Sequence, residues 1–221
     1  MFRSLCCKTP NRNSDATGII YRANSDGTAA SAYVTSLGVP NGVAVDFPGE
    51  MLYFTDLTYG SIHRTSVAGG GDSGEIEQIV SGMAKPFRLS ISWKGSRDNG
   101  PHLYWTDPAQ GRLYRSDLNG TSIIVMGMCA RWVLMTLNDG PSSSLPSSSI
   151  IKLLASVAGV FGISGVVATY DYVYYTMPSE DAIYRVDFTC ADLNGCDPEQ
   201  VLIGVCDRPV DLNYSPITKL V

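Results

Sequence analysis

Short runs in which apolar and polar residues alternate recur along the chain, separated by breaks rich in Gly, Pro and Asn. Phe87-Arg88-Leu89-Ser90-Ile91-Ser92-Trp93 puts every second side chain on one apolar face, the period of a half-buried strand. Val39-Pro40-Asn41-Gly42-Val43-Ala44-Val45-Asp46 and Arg208-Pro209-Val210-Asp211-Leu212-Asn213-Tyr214 read the same way. Asp26-Gly27 and Asn119-Gly120 are hairpin-turn signals, because these residues tolerate a positive φ. The pattern predicts an all-β fold of many short strands.

The strands repeat. Leu52-Tyr53-Phe54-Thr55-Asp56 is followed by Ile62-His63-Arg64, Leu103-Tyr104-Trp105-Thr106-Asp107 by Leu113-Tyr114-Arg115, and Val173-Tyr174-Tyr175-Thr176-Met177 by Ile183-Tyr184-Arg185. Nine positions separate the first Tyr from the residue that opens the next strand in all three copies. Ile20-Tyr21-Arg22 is a fourth copy of the second half; the first two full units are each preceded by one of the alternating runs, and the third run reappears at the C-terminus. A unit is then about four strands, the size of one propeller blade.

These residues resemble the YWTD repeat, the class B repeat of the low-density lipoprotein receptor. The resemblance covers roughly residues 17–131 and 170–216, and is most specific in Leu103–Asp107. It implies a β-propeller, six-bladed in the family, that acts as an extracellular ligand-binding or scaffold module without catalysis. It also implies structural roles for the motif: aromatics packing between blades, Thr and Asp tying strands together. Those roles fall on Tyr53, Thr55, Asp56, Tyr104, Trp105, Thr106 and Asp107, and on Tyr174 and Thr176 in the weaker third copy. There Met177 replaces the Asp, so the hydrogen bonds of that Asp cannot form.

The repeat breaks after Arg131. From Trp132 to Tyr174 the interval is 42 positions, against 13 from Pro40 to Tyr53 and 18 from Pro86 to Tyr104. The surplus holds a Ser- and Pro-rich run, Gly140–Ser149, and an apolar stretch, Ile150–Ala168. A loop insertion with its own short helix, a membrane-touching element and translated intron sequence all remain open. The break in mid-blade favours the last. The expected organisation is a disordered tail over 1–16 and a propeller of about four blades over 17–221, with an insertion over about 132–165. The chain opens on outer strands and closes on an inner one, so its ends are expected to complete a blade together.

Composition sharpens this only slightly. The chain has 221 residues, with 22 Gly, 12 Pro and 12 Tyr, as blade turns and motif aromatics require. Charged residues are 17% and the net charge is −5, which argues against nucleic-acid or anionic-membrane binding. No long apolar run follows the basic start as a secretory leader would need. None of the six cysteines forms a C-x-x-C pair; Cys190 and Cys196 flank a short polar loop and could be a local disulfide or a free pair.

Candidate chemistry is sparse. Of two histidines, His63 stands where other copies carry Tyr and reads as a strand-surface residue, while His102 reads as loop. No phosphate loop, dinucleotide fingerprint or catalytic triad spacing occurs. Val39-Pro40-Asn41-Gly42 resembles a stretch of the gluconolactonase family, propellers in which the Asn binds a divalent metal. That gives an alternative: a lactonase- or esterase-like hydrolase using calcium or another divalent metal at Asn41. A hard cation needs several converging oxygens, and the other copies offer Phe87 and Val210 at this position. The main expectation is a non-catalytic module without cofactor that presents loops to a protein ligand. Two glycosylation sequons occur, Asn119-Gly120-Thr121 and Asn213-Tyr214-Ser215, the second followed by Pro216.

Overall fold

A computed structural model describes residues 4–8, 17–24, 26–67, 75–92, 100–128, 163–169, 172–187, 198–203 and 212. These residues form antiparallel sheets and no helix, so the all-β expectation holds. Strands β4 (Pro40–Asp46), β5 (Met51–Asp56), β6 (Ser61–Ser66) and β7 (Glu77–Val80) make one four-stranded meander. A second contains β8 (Leu89–Ser92), β9 (His102–Asp107), β10 (Arg112–Asp117) and β11 (Ile124–Met128). A third contains β12 (Val166–Ala168), β13 (Tyr172–Met177), β14 (Ala182–Asp187) and β15 (Glu199–Ile203). Strands β1 (Ser4–Lys8), β2 (Gly18–Ala23) and β3 (Ser31–Leu37) form a three-stranded sheet ahead of them. The first strands of successive meanders pack side by side, β4 on β8 and β8 on β12, with β1 beside β4. That is the radial stacking of propeller blades around their inner strands.

Strand periodicity explains how the repeated pentapeptide builds the core. Successive side chains point to opposite faces of a sheet. Leu52 and Phe54 therefore pack backward, with Ile20, Tyr33, Val34 and Leu37 of the preceding sheet. Tyr53 packs forward, with Leu89, Ile91, Leu103 and Trp105 of the next. One blade later, Leu103 and Trp105 face back and Tyr104 faces forward, into Val166, Val173, Tyr175 and Met177. Each blade gives both faces to neighbours, which is why Leu52, Phe54, Leu103, Trp105 and Leu113 are all fully buried.

Two expectations about boundaries need correction. Ser4–Lys8, placed in a disordered tail, is a strand whose register on β2 runs from Ser4 opposite Ala23 to Lys8 opposite Ile19. Tyr104, Trp105 and Thr106 lie opposite Arg115, Tyr114 and Leu113, so Leu5, Cys6 and Cys7 hold the same places against Arg22, Tyr21 and Ile20. The sheet supplies a pairing edge there, and main-chain bonding does not require the motif. Residues 163–165, placed in the insertion, lead directly into β12. The amide of Ser164 donates to the Thr176 carbonyl and that of Thr176 to the Gly165 carbonyl, as Phe87, Thr106 and Arg88 do one blade earlier. The inner strand of the third meander was hidden because Ser164-Gly165-Val166-Val167 lacks both alternation and the Pro of its sister copies. The rest of the surplus, the Cys190–Cys196 pair and the closing run 208–214 lie outside the described residues, apart from Leu212.

Candidate functional site

The motif polar groups converge on one end of the blades. Asp56 closes β5 and is 1% exposed. Its Oδ2 accepts from the Gly38 amide at 2.8 Å, and its Oδ1 from the amides of Val39 and Thr58 at 3.0 and 2.9 Å. Asp107, 0% exposed, does the same in the next blade. Its Oδ2 takes the amides of Ala84 and Lys85 at 2.9 and 3.0 Å, and its Oδ1 those of Ala109 and Gln110 at 3.1 and 3.2 Å. One carboxylate thus ties the loop entering each blade to the turn that follows its second strand. Charged acceptors make stronger bonds than neutral ones, so this rim is firmly held. The turn itself ends in a left-handed residue, Gly60 at φ 59°, Gly111 at 61° and Asp181 at 49°.

The threonines join neighbouring blades. Thr55 Oγ1 accepts from the Gly42 amide at 2.8 Å and donates to the Phe87 carbonyl of the next blade at 2.9 Å. Thr106 Oγ1 accepts from the Arg88 amide at 3.2 Å and donates to the Ser164 carbonyl at 2.6 Å. In the third copy, Thr176 Oγ1 accepts from the Gly165 amide at 2.8 Å. Gly42 has no room for a side chain, since a Cβ there would run into the Phe87 carbonyl. Met177 is buried against the apolar core and brings no acceptor to the third copy of the rim.

Aromatics stack across each hairpin: Trp105 on Tyr114 at 5.4 Å, Tyr175 on Tyr184 at 5.6 Å, and Phe54 on His63 at 5.3 Å between ring centroids. The Tyr114 hydroxyl donates to Gln110 Oε1, and that of Tyr184 to Glu180 Oε2, each in the turn of its own hairpin. The Phe54–His63 hairpin differs. His63, expected on a strand surface, is half-buried, and its Nε2 bonds Ser61 Oγ at 2.8 Å. Burial lowers its pKa from 6.5, opposed in part by Asp56. Tyr59, which holds the turn position of Gln110 and Glu180, is left 67% exposed on the rim. Sequence reading missed Tyr59 as a surface feature; the signal was the replacement of Tyr by His63. His102 also departs from expectation, as a buried first residue of β9, 3.9 Å from Asp117.

Arg64 links outer elements. Its Nε donates to Glu77 Oε2 at 2.7 Å, and its Nη1 reaches Asn119 Oδ1 in the next blade at 2.7 Å. The Glu77 contact, chiefly, holds its pKa above the ordinary arginine value. Arg185 makes the matching bond to Glu199 at 2.8 Å. Tyr53 is held above the ordinary tyrosine pKa by burial.

Asn41 is half-buried, and its Oδ1 accepts from Arg88 Nη1 at 3.2 Å. A guanidinium is a permanent cation with no acceptor, so it puts positive charge where a metal ion would need the amide oxygen. Among the described residues no group of three or more His, Cys, Asp or Glu could hold a metal ion. Among the described residues, the surroundings of Asn41 do not fit a divalent cation.

No protein-family model matches the chain. Over 101 residues it is 29% identical to low-density lipoprotein receptor-related protein 5 of Mus musculus, a match to 45% of this chain and 6% of that protein. A chain of the nidogen/laminin complex superposes with a TM-score of 0.61 at 19% identity, over 90% of this chain and 64% of that one. Streptogramin B lyase matches at a TM-score of 0.51 and 14% identity, over 87% of this chain and 51% of the other. A 6-phosphogluconolactonase-type protein of Bacteroides uniformis also gives 0.51, at 16% identity, over 96% and 58%. The chain therefore spans less than two thirds of each of these proteins. The repeat, the radially packed meanders and these likenesses together describe a YWTD-like β-propeller.

Proposed function

We propose that the chain is a non-catalytic interaction module whose rim, built from the turns after β5 and β9 and the loops entering β4 and β8, presents side chains to a protein ligand. The observation that carries this is the engagement of Asp56 and Asp107. Both are buried and bonded wholly to main-chain amides of those turns and loops. Acids held in this way serve to fix a rim, and rigid scaffolds that position loops are the usual basis of protein recognition. Tyr59 stands exposed on that rim, and tyrosine is among the residues that most often dominate binding energy. The likeness to a chain of a protein–protein complex accords with a protein partner.

The test uses the full chain immobilised against extracellular-matrix proteins, with laminin among the defined probes. The expected result is saturable capture of a protein that weakens about tenfold in Tyr59→Ala, a loss of ~1.4 kcal/mol, and is unchanged in Asn41→Ala. Lactone hydrolysis dependent on calcium or zinc and abolished by Asn41→Ala would overturn the proposal.

A further inference from the structure

The turn between β10 and β11 carries a chemistry that the rim does not use. Asn119-Gly120-Thr121 is a glycosylation sequon with no proline at or after its middle position. Asp117 organises the turn: the Gly120 amide donates to its carbonyl at 2.9 Å, its own amide donates to the Thr121 carbonyl at 3.0 Å, and the Thr121 hydroxyl donates to its Oδ2 at 2.9 Å. Gly120 takes φ 75° and lies against the Ile79 carbonyl, where a Cβ would not fit. Asn119 is exposed at the tip.

The orientation of the Asn119 amide is set by its partner. Arg64 Nη1, 2.7 Å away, can only donate, so the atom facing it must be Oδ1. The nitrogen then lies on the other side, and among the described residues nothing accepts a hydrogen bond from it. The folded chain holds the oxygen and leaves the nitrogen free of the protein. Two exposed isoleucines flank the site: Ile76, next to the Glu77 that shares Arg64 with Asn119, and Ile123, four residues along the chain. Exposed apolar side chains beside a polar attachment point are what a bulky sugar would shield from water.

We infer that Asn119 is the acceptor of an N-linked glycan. The donor class is an oligosaccharide joined through its anomeric carbon to a polyisoprenoid pyrophosphate. The bond from the anomeric carbon to the pyrophosphate oxygen breaks, a bond to Asn119 Nδ2 forms, Nδ2 loses one proton, and the pyrophosphate carrier leaves. The product is a secondary amide whose Oδ1 still accepts from Arg64, so attachment disturbs no bond of the fold. The site is at the opposite end of the blade from the turn after β9, and the sugar leaves the Tyr59 rim uncovered. The inference does not depend on what that rim binds.

The experiment places the full chain behind a cleavable secretory leader in a eukaryotic host. It examines lumenal material, identified by leader cleavage, before and after digestion with peptide N-glycosidase. The wild type, Thr121→Ser and Asn213→Gln are expected to gain mobility on digestion, with Asn119 converted to Asp in the peptide map. Asn119→Gln and Thr121→Ala are expected to show no shift at this site. Because Thr121→Ser changes the turn residue and keeps the sequon, its shift separates loss of the acceptor from loss of the fold. Lumenal wild-type chain with unmodified Asn119, or a shift that persists in Asn119→Gln and disappears in Asn213→Gln, would overturn the inference.

Discussion

The hydroxyl of Thr106 donates a 2.6 Å hydrogen bond to the main-chain carbonyl of Ser164, which belongs to the following blade. The same oxygen accepts the Arg88 amide of its own blade. One buried atom thus closes a sheet and fastens it to its neighbour, and Thr55 repeats the arrangement with Gly42 and Phe87. Thr106→Val keeps the shape of the side chain and removes both bonds. The expected cost is about 1–3 kcal/mol, read as a lowered urea midpoint, with Thr106→Ser retaining most of the stability. A Val variant as stable as the wild type would show that the hydroxyl does not fasten the blades.

Asp107 predicts a larger effect. Each of its oxygens faces two amide N–H donors. In Asp107→Asn, either orientation of the side-chain amide turns its own NH₂ toward two of those donors. The expected loss is about 3 kcal/mol or more, since a charged acceptor is removed and buried donors are left facing a donor. Denaturant unfolding of Asp107→Asn beside Asp107→Ala checks this. The two should be similar, because the amide restores little that alanine loses.

These two residues show how much was legible. Leu103–Asp107 announced its blade because strand period, turn spacing and residue type agree over a short local stretch. The partners of Asp107 were not legible: they are main-chain amides at Ala84, Lys85, Ala109 and Gln110, and an amide leaves no mark in sequence. Strand β1 was missed because Ser4–Lys8 is held by long-range pairing with β2, which overrides its weak local signal. β12 was missed because its flanking residues, Ser164 and Gly165, share hydrogen bonds with their sister copies and no side-chain chemistry. Tyr59 is exposed where Gln110 and Glu180 each hold a tyrosine hydroxyl; the replacement of that tyrosine by His63 is visible in the sequence, but its pairing with the turn position shows only in the folded hairpin.

His63 gives a pH dependence with a definite sign. Burial against Phe54 lowers its pKa in the folded chain below the ordinary 6.5, with Asp56 opposing. Above 6.5 the ring is neutral whether folded or unfolded, and its full contribution is present. As pH falls through 6.5 the unfolded chain takes up the proton first, so stability declines until the folded pKa is passed. His63→Phe keeps a ring against Phe54 and removes the proton. Thermal melts across this range should show a shallower acid decline in His63→Phe than in the wild type. Parallel profiles would mean that another group controls the decline.

Trp105 is fully buried and stacked on Tyr114, and among the described residues its Nε1 has no hydrogen-bond partner. Phe54 fills the equivalent place one blade earlier, so the position asks for a ring and makes no use of the indole N–H. Trp105→Ala removes the ring and leaves a cavity between two blades, at an expected cost of about 3–5 kcal/mol. Trp105→Phe leaves a smaller void and also removes a buried donor that lacks an acceptor. These effects oppose one another, and the expected net cost is below about 1.5 kcal/mol. Chemical denaturation of both variants decides the point. A phenylalanine variant that loses as much as the alanine one would show that the indole nitrogen contributes a bond of its own.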